Sequence, residues 1–89
     1  MADVRVLVVD DQEPFRRAAA GVIDEMAGFV VVGSVESAER SITAVAELHP
    51  DLVLMDVNLP AMNGIEAARR LTSANAGLVV LLLSTYDED

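Results

Sequence analysis

The sequence predicts an α/β fold built on a parallel sheet, and three observations predict it. Short apolar runs recur at residues 4–9, 29–33, 52–55 and 78–83, apolar on nearly every position, as strands buried on both faces are. The stretches between them carry apolar residues at helical spacing. Strand and helix therefore alternate as β-α-β-α-β-α-β, an order that demands parallel neighbours joined by right-handed crossovers.

Each element follows from its residues. Val4 to Val9 is a β-branched run ending on Asp10 and Asp11. Asp11 is expected to cap a helix whose first turn holds Pro14, tolerated there because its missing N–H would be unpaired anyway. That helix presents Phe15, Ala18, Ala19, Val22, Ile23 and Met26, and Gly28 supplies its stop. The second strand, Phe29 to Gly33, leads to Ser34 or Ser37, either of which introduces a helix through Ala38, Ile42, Val45, Ala46 and Leu48. His49-Pro50 ends it, with His49 suited to the negative end of the helix dipole. Leu52 to Met55 is the third strand, finishing on Asp56. After the Pro60 turn, Asn63 and Glu66 are spaced as a capping box for a helix through Ile65, Ala68 and Leu71, and the fourth strand runs from Leu78 to Leu83. Met26, Met55 and Met62 read as packing residues, and the arginines as solvated or paired on the surface.

Bulk properties narrow the function classes. At 89 residues and 53% hydrophobic content the chain has room for one small domain. A formal charge of -9 argues against a nucleic-acid surface, which needs clustered cations to displace counter-ions from phosphates. With no cysteine there is neither a disulfide framework nor a thiolate metal site, which suits a reducing cytoplasm. No apolar run is long enough to span a bilayer. All six basic residues are arginines, so chemistry needing an ammonium must come from elsewhere.

The candidate chemistry lies in three aspartates. If the first and third strands are neighbours, Asp10, Asp11 and Asp56 meet at the carboxyl edge of the sheet, where open α/β folds bind ligands, with Asp56 facing solvent. Two carboxylates about 4 Å apart repel by roughly 4 kcal/mol at an effective dielectric of 20. Three in one crevice want a hard cation, and Mg²⁺ takes oxygen ligands while leaving positions for a phosphoryl oxygen. Singly, Asp10 and Asp11 could be no more than helix caps; their conjunction with Asp56 and Ser84 carries the reading of a metal and phosphoryl site.

Val6-Leu7-Val8-Val9-Asp10-Asp11, Leu54-Met55-Asp56-Val57-Asn58-Leu59-Pro60, Gly64 and Leu82-Leu83-Ser84 resemble the receiver domain of two-component response regulators. Gly64-Ile65-Glu66-Ala67 and Ser84-Thr85-Tyr86-Asp87 are most similar to receivers that precede LuxR-type (NarL/FixJ-like) DNA-binding domains, and the resemblance spans residues 1–89. It implies a flavodoxin-like (CheY-like) fold of strand order 2-1-3-4, continuing to a fifth strand in complete members. It also implies that Asp56 accepts the phosphoryl group. Asp11 and Asp56 would ligate Mg²⁺, with the Asn58 backbone carbonyl as a further ligand and Asp10 acting through a water. Ser84 would hydrogen-bond the phosphoryl group and swing inward. The donor would be a sensor histidine kinase, docking on the helix that carries Arg16 and Arg17. Such a domain is a phosphoacceptor rather than an enzyme, its only catalysis being its own phosphorylation and dephosphorylation. Tyr86 is expected to shield the phosphoaspartate from water.

Two other classes compete. A mononucleotide binder of similar fold should offer amides and hydroxyls after the first strand, whereas Asp10-Asp11 would repel a phosphate lacking metal. A pseudo-receiver, dimerising without phosphorylation, draws support from the C-terminus. The family's fifth strand, last two helices, phosphate-binding lysine and aromatic switch residue have no counterpart here. The expectation is therefore a receiver incomplete at its C-terminus, its DNA-binding output domain lacking, that forms a homodimer or swaps by pairing through an exposed fourth strand.

Overall fold

The computed structural model describes residues 2–84. Its elements are β1 (Val4–Val9), α1 (Glu13–Asp24), β2 (Phe29–Val35), α2 (Ala38–Leu48), β3 (Leu52–Asp56), α3 (Gly64–Ala74) and β4 (Val79–Leu83). All neighbouring strands are parallel, in the order β2-β1-β3-β4. This is the CheY-like flavodoxin fold expected from the sequence, and the central places of β1 and β3 explain why Val6 to Val9, Val53 and Met55 are the most buried strand residues.

The two faces of the sheet are unequally covered. Because successive strand residues point to opposite sides, Leu7, Val9, Val53 and Met55 share one face, where they pack with Ala44, Val45, Ala67 and Leu71 of α2 and α3. Among the described residues the other face meets only α1, which buries none of its residues and leaves Phe15 and Val22 exposed; the helix ends at Asp24, short of Met26, which is exposed as well. An apolar trough of about 370 Å³ remains between α1 and the sheet, lined among others by Phe15, Ala19, Val22, Val8, Leu54 and Leu83.

Several local expectations are corrected. The α1 N-cap is Gln12, not Asp11, and its side chain makes no capping bond. The α2 cap is Ser37 rather than Ser34, accepting from the Arg40 N–H at 3.1 Å. Ser34 instead belongs to β2, which runs two residues further than expected past a register shift opposite Val6 and Leu7. Asn63 caps α3, accepting from the Glu66 N–H at 2.8 Å. Met55 and Met62 pack as expected, whereas Met26 does not. Ile42 and Ile65 sit on the outward faces of their helices, whose buried faces are formed by Ser41, Ala44 and Val45 in α2 and by Ala67 and Leu71 in α3.

At the amino end of β1 a polar staple fixes the strand register. The Arg5 N–H donates to the Asp51 carboxylate at 2.9 Å and the Asp51 N–H to the Arg5 carbonyl at 2.8 Å. The Arg5 guanidinium also caps α2 through the Leu48 carbonyl at 2.6 Å. His49 ends α2 in the left-handed region, with φ 50°.

Candidate functional site

The carboxyl ends of β1 and β3 deliver the acids. Val9 pairs with Met55, so the residues that follow, Asp10 and Asp56, leave the sheet side by side. Carboxylate oxygens of Asp10, Asp11 and Asp56 all lie within 4.8 Å of one another. The predicted convergence is therefore observed. Asp11 is exposed and Asp10 half-buried, but Asp56 is only 8% exposed, so the expectation that it faces solvent is wrong. Leu83 is its register partner on one side and α3 begins against its own peptide, which together close over it.

Hydrogen bonds hold this arrangement. The Asn58 N–H donates to Asp56 Oδ1 at 2.9 Å, and the Gln12 N–H donates to Asp10 Oδ1 at 2.9 Å, so each carboxylate is oriented by the turn that follows it. The Asp10 N–H donates to the Val35 carbonyl at 3.1 Å. Arg16 Nη1 donates to the Asp10 carbonyl at 2.7 Å. Burial pushes the Asp10 carboxyl above its ordinary value, and the charges of Asp56 and Asp11 push it the same way, against the Gln12 N–H and the Arg16 cation. Crowded, half-desolvated carboxylates with oxygen as the sole donor atom suit a hard divalent cation such as Mg²⁺.

The remaining predicted positions fall around this centre. Asn58 is exposed in the turn after β3, its amide committed to Asp56. Ser84 is exposed and follows Leu83, whose carbonyl accepts from the Val57 N–H at 2.9 Å, so it stands beside the end of β3. Tyr86 lies outside the described residues. Two contributors were missed. Gly64 is the first residue of α3, as the capping box implies, but its contact with the site was not foreseen: an added Cβ would stand 2.5 Å from the Asp56 carbonyl oxygen. Arg16 was read as a surface cation, and only its offset of six residues from Asp10 hinted at a contact across the first turn of α1.

Among the described residues no helix is long and apolar enough to cross a membrane. The chain is 38% identical over 86 residues to the response regulator GacA of Pseudomonas viridiflava, covering 97% of this chain and 40% of the relative. It is 33% identical to the transcriptional regulatory protein DegU of Brevibacillus brevis, covering 97% and 36%. The chain thus spans about two-fifths of the length of these curated relatives. Among solved structures it is similar to the signal receiver domain of the putative response regulator NarL from Mycobacterium tuberculosis. There the TM-score is 0.89 at 30% identity, over 99% of this chain and 71% of that one. The chemotaxis response regulator CheY4 of Vibrio cholerae shares the fold, with a TM-score of 0.84 at 24% identity over 98% and 72%. A model of the response regulator receiver domain matches residues 6–89. With its acids gathered where that sheet order puts them, the chain belongs to the response regulator receiver family.

Proposed function

We propose that this receiver accepts a phosphoryl group at Asp56 from the phosphohistidine of a sensor kinase, in a Mg²⁺-dependent step. The observation that carries the reading is the meeting of three carboxylates within 4.8 Å, with Asp56 the most buried of them. Asp11 and Asp56 would hold the ion directly, with the Asn58 carbonyl, and Asp10 through water. When bound, Mg²⁺ neutralises charge on the transferring group. The work of the chain is positioning. The Asn58 N–H fixes one Asp56 oxygen at 2.9 Å, leaving the other to attack phosphorus. An O–P bond forms as the N–P bond to the imidazole breaks, the imidazole keeps the electron pair, and an acyl phosphate results. Ser84, beside the strand end, would donate to a phosphoryl oxygen.

The partner would be a sensor histidine kinase in the cytoplasm, and the controlled output a DNA-binding domain, in keeping with a transcriptional regulatory protein among the longer relatives. The receiver itself does not fix that choice, since protein-glutamate methylesterases are also relatives, at 34% identity over 85 residues in one case. A second reading, phosphorylation-independent self-association, is favoured by β4. Among the described residues no strand pairs with its outer edge, and Val79, Leu81 and Leu83 are each half-exposed. Such an edge is a template for a second copy.

Intact mass after incubation with acetyl phosphate and MgCl₂ tests the first reading. One phosphoryl adduct is expected on the wild type and none on Asp56→Asn or without MgCl₂. An adduct that persists in Asp56→Asn would refute it.

A further inference from the structure

We propose that Arg16 is the positioning residue of the phosphoryl site, holding the β1–α1 turn so that Asp10 and Asp11 stay within reach of Asp56; this rests on the function proposed above. Three bonds converge on Asp10. Its N–H is held by the Val35 carbonyl at 3.1 Å, its Oδ1 by the Gln12 N–H at 2.9 Å, and its carbonyl by Arg16 at 2.7 Å. Of these three only the last comes from α1; the helix is otherwise joined to the turn by the backbone N–H groups of Phe15 and Arg16, which donate to the Gln12 carbonyl at 3.1 Å and leave Asp10 itself unheld. The usual tie at that place, a side-chain N-cap, is missing, because Gln12 makes no capping bond. The guanidinium takes over that office from the other direction, reaching back from the helix to the strand.

The other arginines are engaged elsewhere or on the surface. Arg5 is at the far end of β1 on the Leu48 carbonyl. Arg17 and Arg70 form exposed pairs with glutamates on their own helices, Arg40 pairs with Glu36 just ahead of α2, and Arg69 is exposed on α3. Arg16 is half-buried and, among the described residues, is the one basic side chain bonded to a member of the acid cluster. Guanidinium stays charged at any working pH. Its placement thus offsets the mutual repulsion of the carboxylates when no metal is present, while its fork fixes the backbone that presents them.

Charge and positioning predict opposite signs, which makes the inference testable. Deleting a cation beside a metal site should tighten Mg²⁺ binding; releasing the turn that presents two of the acids should weaken it. In calorimetric titration with MgCl₂, Arg16→Met is expected to weaken binding about fivefold to tenfold. Arg16→Lys, which keeps one donor, should stay within about threefold of wild type, and Arg17→Met should not change it. In phosphorylation by acetyl phosphate, Arg16→Met should raise the half-saturating MgCl₂ concentration by a similar factor and leave the rate at saturating MgCl₂ within about twofold. Equal or tighter Mg²⁺ binding by Arg16→Met would overturn the proposal, as would a melting temperature that falls with binding unchanged. If Arg16→Met does not fold, Arg16→Lys decides: binding weakened beyond tenfold, or tightened, would refute it. A wild type that takes up neither Mg²⁺ nor phosphate would instead refute the underlying function, and the inference with it.

Discussion

Replacing Gly64 with alanine should disturb the phosphoacceptor although position 64 carries no functional group. A Cβ there would lie 2.5 Å from the Asp56 carbonyl oxygen, 2.9 Å from the Val57 Cα and 3.2 Å from the Asp56 carbonyl carbon, all backbone atoms. Restoring an ordinary contact of about 3.4 Å to the oxygen requires a movement of about 0.9 Å, the difference between 3.4 and 2.5. The start of α3 is held to the same segment by the Gly64 N–H, which donates to the Val57 carbonyl at 3.0 Å, so the strain cannot be relieved at one atom. Overpacking of this kind costs about 1 to 3 kcal/mol, and the helical preference of alanine returns less than about 1 kcal/mol of it. A net loss of about 1 kcal/mol lowers the melting temperature of a domain this size by roughly 4 to 8 °C. Because a misplacement near 1 Å can cost about a hundredfold in rate, phosphorylation should slow by more than the stability change implies. Thermal unfolding beside a time course of adduct formation measures both. An unchanged melting point together with an unchanged rate would show that the close packing does not constrain Asp56.

Two further perturbations address charge and assembly. The Asp10 carboxyl is raised above 3.8 by burial first and by Asp56 and Asp11 next, so the folded state holds its proton longer than the unfolded chain does. Stability from this group is therefore full below 3.8 and lost as pH rises through the higher folded value. Asp10→Asn should accordingly raise the melting temperature at pH 7 without divalent cations and change it little near pH 3; a lower melting point at pH 7 would contradict the sign. Leu81→Lys places a charge at the middle of the half-exposed β4 edge. Sedimentation should show the wild type self-associating at micromolar concentration and the variant shifted to monomer, whereas a wild-type monomer would dispose of edge pairing.

Much of this architecture is legible in the sequence because its signals are local and repeated. Continuous apolar runs mark β1 and β3 as central strands, and their terminal acids mark the end where a site forms. What escaped was set by packing between segments distant in sequence. Nothing in Asp56 itself reveals that it is buried, since that depends on Leu83 alongside and Gly64 against its peptide. The capping expectation for Asp11 failed for a different reason: Asp10 takes the Gln12 N–H with its own carboxylate, so the turn is closed one residue earlier. Ile42 and Ile65 were grouped with the apolar faces of their helices by hydropathy, but the faces that meet the core are those of Ala38, Ser41 and Val45 in α2 and of Gly64, Ala67 and Leu71 in α3.

The thinly covered α1 has a consequence for how signals could pass through this domain. The same helix that leaves Phe15 and Val22 open to water also carries Arg16, which is bonded to the turn that presents two of the acids. A ligand in the apolar trough that Phe15 and Val22 line and an ion in the carboxylate pocket would therefore both bear on the position of α1. To whatever extent filling the first favours the second, thermodynamics requires the second to favour the first by the same factor, so a helix with little of its own to bury is well placed to act as a two-way lever.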